Sequence, residues 1–149
     1  MLSKRDILGG IGACLFFFFA LTTLHAADTT EQIITQVDEI LESNPLPTGE
    51  KIQRIKVAED YTLTVLVLRL AVGAEVKGHL HKTHNETVYV IKGTGRMLVN
   101  DKWIDIKPGT LHFNPMGKVH YTKNTGNEPL VVISIYTPAM KEPDSHFVQ

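Results

Sequence analysis

Between Ile52 and Tyr136 turn-forming residues break the chain into short β-prone runs, and that punctuation leaves few folds open. Tyr61–Leu70 is a long apolar, β-branched run, expected to be a strand buried on both faces. Val76–His81 and Glu86–Ile91 follow, joined by the polar Lys82-Thr83-His84-Asn85 turn. Arg96–Val99 and Lys102–Ile106 flank Asn100-Asp101, a two-residue link of the kind that closes a hairpin. After Pro108-Gly109 come Thr110–Asn114, Val119–Lys123 and Leu130–Tyr136, with Thr125-Gly126-Asn127-Glu128-Pro129 before the last. No helical pattern separates these runs, which argues for an all-β sandwich or barrel. Gly73, Gly93, Gly109 and Gly117 fall between runs, where a positive φ or a tight bend is needed.

Two of the glycine-bounded segments carry chemistry. The first reads Gly73-x5-His79-x-His81-x4-Glu86-x6-Gly93, and the second Gly109-x5-Pro115-x-Gly117-x2-His120-x3-Asn124. Residues two apart on a strand share a face, so His79 and His81 point the same way. Imidazoles and a carboxylate together suit a divalent transition metal such as Mn, Fe, Ni, Cu or Zn. A lone strand histidine is more often an ordinary core or surface residue. Here four such residues stand in register with two patterns. Pro115-Met116-Gly117 turns the chain so that His120 can face back inward.

At these residues the chain resembles the cupin superfamily, whose motifs G-x5-H-x-H-x(3,4)-E-x6-G and G-x5-P-x-G-x2-H-x3-N are both complete here. The resemblance covers about Tyr61 to Pro138. It implies a small jelly-roll β-barrel with one N-terminal amphipathic helix. It also implies one divalent transition metal per chain held by His79, His81, Glu86 and His120. Three imidazoles and one carboxylate leave open coordination positions, which mark a catalytic ion. Dioxygenase or oxidase chemistry on a small molecule is typical of cupins with this donor set. Metal-dependent isomerase or lyase chemistry is the alternative, as is a non-catalytic metal- or ligand-binding module. A homodimer is expected by the same resemblance, and because the edge strands of a small barrel need covering.

Residues 1–27 read as a targeting segment. Lys4 and Arg5 precede an uncharged, largely apolar stretch from Ile7 to Leu24, and His25-Ala26-Ala27 offers a cleavage site. An uncleaved anchor is the competing reading, and both place the barrel outside the cytoplasm, in a periplasm or similar compartment. Lys4-Arg5 is a degraded twin-arginine pattern, and Ile11-Gly12-Ala13-Cys14 a poor lipidation box, since Leu15 and four phenylalanines follow. Cys14 is the one cysteine, so a chain cleaved near Ala27 has neither disulfide nor thiolate ligand. Residues 28–48 are expected to hold a helix, Thr29–Ser43, with Ile33, Ile34, Val37, Ile40 and Leu41 on one face and Asn44-Pro45 as its stop. The barrel then occupies 49–140, and 141–149 reads as an irregular tail.

Net charge is −1 and no basic stripe appears, so nothing suggests a nucleic-acid partner. The cleaved barrel has no membrane role in this reading. His84 lies two before Glu86 and reads as a solvated turn residue, with pocket lining the lesser reading. The pattern leaves the facing of His112 open. Tyr121 neighbours the His120 strand. Tyr89 is odd against Glu86 and is expected to face away. Arg96 is expected to be exposed, and Trp103 to pack.

Overall fold

The computed structural model describes residues 32–148. The expected targeting segment, and the first residues of the expected helix, lie outside them. The described residues form one helix, α1 (Val37–Ser43), and ten strands. These are β1 (Ile52–Glu59), β2 (Thr64–Leu70), β3 (Glu75–Leu80), β4 (Asn85–Lys92), β5 (Gly95–Val99), β6 (Lys102–Ile106), β7 (Leu111–Asn114), β8 (His120–Asn124), β9 (Leu130–Thr137) and β10 (His146–Phe147). Two antiparallel five-stranded sheets face each other, ordered β1-β2-β9-β4-β7 and β10-β3-β8-β5-β6. This is the expected jelly-roll barrel. No helix among the described residues is long and apolar enough to cross a membrane.

Period-two alternation sets the core. Leu66, Leu68 and Leu70 of β2, Val88 and Val90 of β4, and Leu130 and Val132 of β9 meet Met97 and Ile106 of the other sheet. Val67 is also buried, on the opposite face of β2, as the unbroken apolar run implies. That strand begins at Thr64 rather than Tyr61. Asp60 Oδ1 accepts hydrogen bonds from Thr62 N at 2.7 Å and Leu63 N at 2.9 Å, which folds the first residues of the run into a turn.

The helix is shorter than its pattern implies, since residues 32–36 are not helical. Ile33 and Ile34 are 46% and 94% exposed, so among the described residues the start of the apolar stripe finds little to pack on. A short helix is held by packing rather than propensity. Arg69 of β2 supplies what hold there is, donating to Leu41 O, Asn44 O and Gln53 Oε1. That satisfies carbonyls that a helix end leaves orphaned.

The tail also departs from expectation. His146 and Phe147 form β10 against Leu80 and His79, and Asp144 just before them is buried. Asp144 Oδ2 accepts from Lys82 N, Thr83 N and Thr83 Oγ1, each at 2.8 Å. The tail is therefore stitched to the turn between β3 and β4.

Asn100 and Asp101 adopt φ of 48° and 61°, as a tight hairpin link requires. Gly93 has φ +78°, and a Cβ there would sit 2.5 Å from Pro129 O. Gly73 has φ +73° with open space around it. Gly73→Ala should therefore cost about 1 kcal/mol, the left-handed penalty alone. Gly93→Ala should cost upward of about 2 kcal/mol because backbone must also move. Urea unfolding of the two variants checks the difference, and equal losses would show that close packing at Gly93 is unimportant.

Candidate metal centre

Both sheets supply the centre. His79 on β3 pairs directly across from His120 on β8, and His81 follows β3 by one residue. A register shift between Val76 and His79 leaves both histidines of β3 facing the interior, as it does Val76. Glu86 arrives from β4 in the opposite sheet. All four side chains are at least nine-tenths buried. The ligating nitrogens of His79, His81 and His120 lie within 4.8 Å of one another. Two ligands on opposite sides of one ion span about 4.4 Å, so little contraction is needed.

Each imidazole is oriented by a backbone carbonyl. His79 Nδ1 meets Lys77 O at 2.9 Å, His81 Nδ1 meets Asp144 O at 3.1 Å, and His120 Nδ1 meets Lys118 O at 3.2 Å. A carbonyl only accepts, so each Nδ1 carries the proton and each Nε2 presents a lone pair. His81 Nε2 and His120 Nε2 are buried without a hydrogen-bond partner.

Glu86 is held by the residues its strand register puts beside it. Asn114 on β7 and Tyr136 on β9 are its two cross-strand neighbours. Asn114 Nδ2 donates to Glu86 Oε2 at 3.0 Å, and Tyr136 OH donates to Oε1 at 2.8 Å. His112 bonds Asn114 Oδ1 in turn, which fixes the direction of the amide. Oε2 then faces His120 Nε2 at 3.1 Å and His81 Nε2 at 3.9 Å. Lone pairs this close repel unless a cation lies between them. A proton serves one such pair, whereas a metal ion serves the whole set. The donors present therefore fit a divalent transition metal, with His79, His81, Glu86 and His120 as its holders.

The electrostatics agree. Burial, then the neighbouring His120, lowers His79 to about 4, so it stands neutral at pH 7. Burial likewise lowers His81. Burial pushes the Glu86 carboxyl up, but His120 and Tyr136 outweigh it and bring it to about 2. The His120 part of that lowering needs a positive charge at its Nε2, a place that a metal ion takes when Nε2 carries a lone pair. Tyr136 is pushed up by burial and by the Glu86 charge, so it remains a hydrogen-bond donor. A cavity of about 30 Å³ adjoins the cluster, walled by Leu68, Val76, Val88 and Val132 as well as by His79, Glu86 and His120. That is room for little more than an ion or a water.

Residues 66–136 match the family model described as a cupin domain. A solved structure from Klebsiella pneumoniae, an uncharacterized protein with a double-stranded β-helix domain, superposes with a TM-score of 0.65 and 26% identity over 78% of this chain and 99% of that one. The chain belongs to the cupin superfamily. Among other cupin relatives, the glucose-6-phosphate isomerase of Thermococcus onnurineus is 42% identical over 67 residues, 40% of this chain. The chain spans only 35% of that isomerase's length. A predicted oxalate decarboxylase from Thermotoga maritima superposes with a TM-score of 0.50 and 28% identity, over 52% of this chain and 68% of that one.

Around the motif residues this cupin carries others that the sequence did not announce. His84 is 2% exposed, not a solvated turn residue. Its Nδ1 meets Thr83 Oγ1 at 3.0 Å, and its Nε2 lies 3.4 Å from Asp144 Oδ2. The same-face spacing to Glu86 was the available signal for its burial. Asp144 has no local signal at all. Burial pushes its carboxyl up, but Thr83, His146 and Lys82 hold it well below the usual carboxylate range. Tyr136 and Asn114 are legible only once strand partners are known. His112, whose facing the pattern left open, turns toward Asn114. Tyr89 faces out as expected. Arg96 is exposed, bonded to Asp105 at 2.9 Å and stacked on Trp103, which packs on Tyr121 from the surface.

Removing one oriented partner of a ligand typically costs 10–100-fold in metal affinity. Tyr136→Phe should therefore weaken metal binding by about that factor, while Tyr89→Phe on the outer face leaves it unchanged. Competition against a chelating dye measures both. Equal affinities would reduce Tyr136 to a packing residue.

Proposed function

We propose that this cupin is a metal-dependent enzyme acting on a small, oxygen-rich molecule, with isomerase or lyase chemistry the best-supported class. The convergence of three carbonyl-anchored imidazoles and Glu86, with His79, His120 and Glu86 lining one small cavity, carries the reading. The likeness to a glucose-6-phosphate isomerase and to a predicted oxalate decarboxylase supports the class. When bound, the metal supplies Lewis-acid polarisation of a substrate oxygen. His79, His81 and His120 hold neutral donors toward it, and Glu86 contributes the one negative charge. Asn114 and Tyr136 keep that carboxylate ionised and aimed. Leu68, Leu70, Val76, Val88 and Val132 lower the polarity around these groups, which strengthens the electrostatic contacts inside. Dioxygenase chemistry is the second reading, favoured by the coordination positions that four protein ligands leave open.

His81→Ala should abolish stoichiometric metal binding while the β-rich circular dichroism spectrum persists. Full metal content in that variant would sink the assignment. Wild-type protein loaded with Mn, Fe, Ni, Cu or Zn is then assayed with oxalate, sugar phosphates, sugar acids and phenolics under an oxygen electrode. Turnover without oxygen uptake supports isomerase or lyase action, and uptake supports the dioxygenase reading. No turnover with any of them favours a non-catalytic binding module.

Export and dimerisation complete the proposal. The basic, apolar and small-residue succession of residues 1–27 supports export. Tyr89, Leu111 and Phe113 are exposed side by side on β4 and the edge strand β7, an apolar face that a second copy would cover. Protein recovered from its own cells should lie outside the cytoplasm, begin near Ala27 and scatter light as a dimer. Cytoplasmic recovery would refute export, and a monomeric mass would refute the dimer.

A further inference from the structure

We propose that Arg54 is the anion anchor of a substrate chamber opening onto the metal centre, so that the substrate carries a carboxylate or a phosphoryl group. The inference rests on the metal-dependent reading above and adds the charge class of the molecule that enters.

Strand β1 alternates its faces. Gln53 turns outward to Arg69, whereas Ile52 packs against the core and Arg54 pairs across from the core residue Leu68. A guanidinium thus occupies the strand face where the binary pattern calls for an apolar residue. Arg54 remains exposed to solvent there, so its guanidinium is open to an anion that arrives from outside. Among the described residues no hydrogen bond or ion pair joins Arg54 to a partner. Lys56, the next residue on that face, is bonded to Glu59 at 2.9 Å. The unpaired charge on the inner face is therefore Arg54.

Its position joins two spaces. Arg54 lines the small cavity that holds His79, Glu86 and His120. It also lines a chamber of about 490 Å³ whose wall includes Tyr136, Met140, Pro143, Ser145 and Phe147. Volumes of about 300–1,000 Å³ are usual for small-molecule sites. Arg54, Ser145 and Tyr136 border both spaces, so the two lie side by side. Ser134, 1% exposed and beside Glu86 and Tyr136, lines the inner one. A molecule in the chamber meets a guanidinium at its outer end and a hydroxyl and the metal centre at its inner end. Charge points the same way. A divalent ion with three neutral imidazoles and one carboxylate keeps a net positive charge, and around the chamber the cations Arg54, Lys56 and Lys141 outnumber the carboxylates Glu142 and Asp144. The planar fork of arginine suits carboxylate and phosphoryl oxygens in pairs.

An inward charge on an edge strand also discourages strand addition, and β1 is an edge. That role needs charge alone, so lysine would serve it equally. Anion recognition needs the fork, so lysine would serve it poorly.

Wild type, R54Q, R54K and H81A are titrated calorimetrically with oxalate, with inorganic phosphate and with neutral oxamide, both metal-free and metal-loaded. One anion should bind per wild-type chain, even without metal. R54Q should weaken it by about tenfold or more, and R54K by an intermediate factor, with metal content unchanged in both. Oxamide should show no dependence on residue 54. Tighter binding of oxalate assigns a carboxylate, and tighter binding of phosphate a phosphoryl group. H81A keeps the two readings apart, because loss of metal there should leave Arg54-dependent anion binding in place. Equal anion affinity in wild type and R54Q overturns the proposal, and so does full retention in R54K.

Discussion

Lone pairs of His81 and His120 and a carboxylate oxygen of Glu86 meet inside the barrel with no proton donor between them, and most of the structure serves to hold them there. Left alone, those groups would repel and turn away. Three backbone carbonyls prevent the imidazoles from turning. Two cross-strand neighbours prevent the carboxylate from turning. The constraint on the carboxylate is a product of register. A one-residue slip of β4 against β7 or β9 would send Glu86 to the outer face, and Asn114 and Tyr136 would lose their partner. The hydrophobic core fixes that register, because the same slip would expose Val88 and Val90. Packing therefore secures the fold and the donor geometry together.

The sequence made the fold and the four donors readable because both are local in pattern. Turn residues at short spacing announce strands, and both motifs place donors at fixed distances from glycines. What escaped was not local. Asp144 lies 61 residues from Thr83, whose backbone it binds, and nothing in its neighbourhood marks it. His84 read as solvated because the turn around it is polar, yet the tail folds over that turn and buries it. The helix failed in the opposite sense. Its periodicity was real, but among the described residues Ile34 is almost fully exposed and Ile33 half so, and periodicity with so little partner surface does not hold a helix. Tyr121 was noted beside the His120 strand but lies outside the donor set, paired instead with Trp103 on the surface.

Asp144 joins these unread pieces into one device. Its carboxylate takes two backbone amides and a hydroxyl from the turn that links His81 to Glu86. Its own carbonyl orients His81. The same residue leads into β10, which brings Phe147 against the His79 ring at 5.8 Å. The last residues thus close one side of the centre and fix one of its ligands at the same time. A carboxylate with this many donors is costly to free, so the tail behaves as a wall of the chamber and not as a loose end.

The centre and its chamber also differ in a way that constrains chemistry. The space beside the donors admits little more than one small ligand, whereas the space beyond Arg54 is many times larger. Only the reacting oxygens of a substrate fit near the donors, and the rest of the molecule must lie along the tail. Most of the binding contact would then come from residues outside both motifs, from β1, β9 and the segment after Pro138. Function in such a fold is decided at the chamber wall, since the donor set alone serves many reactions.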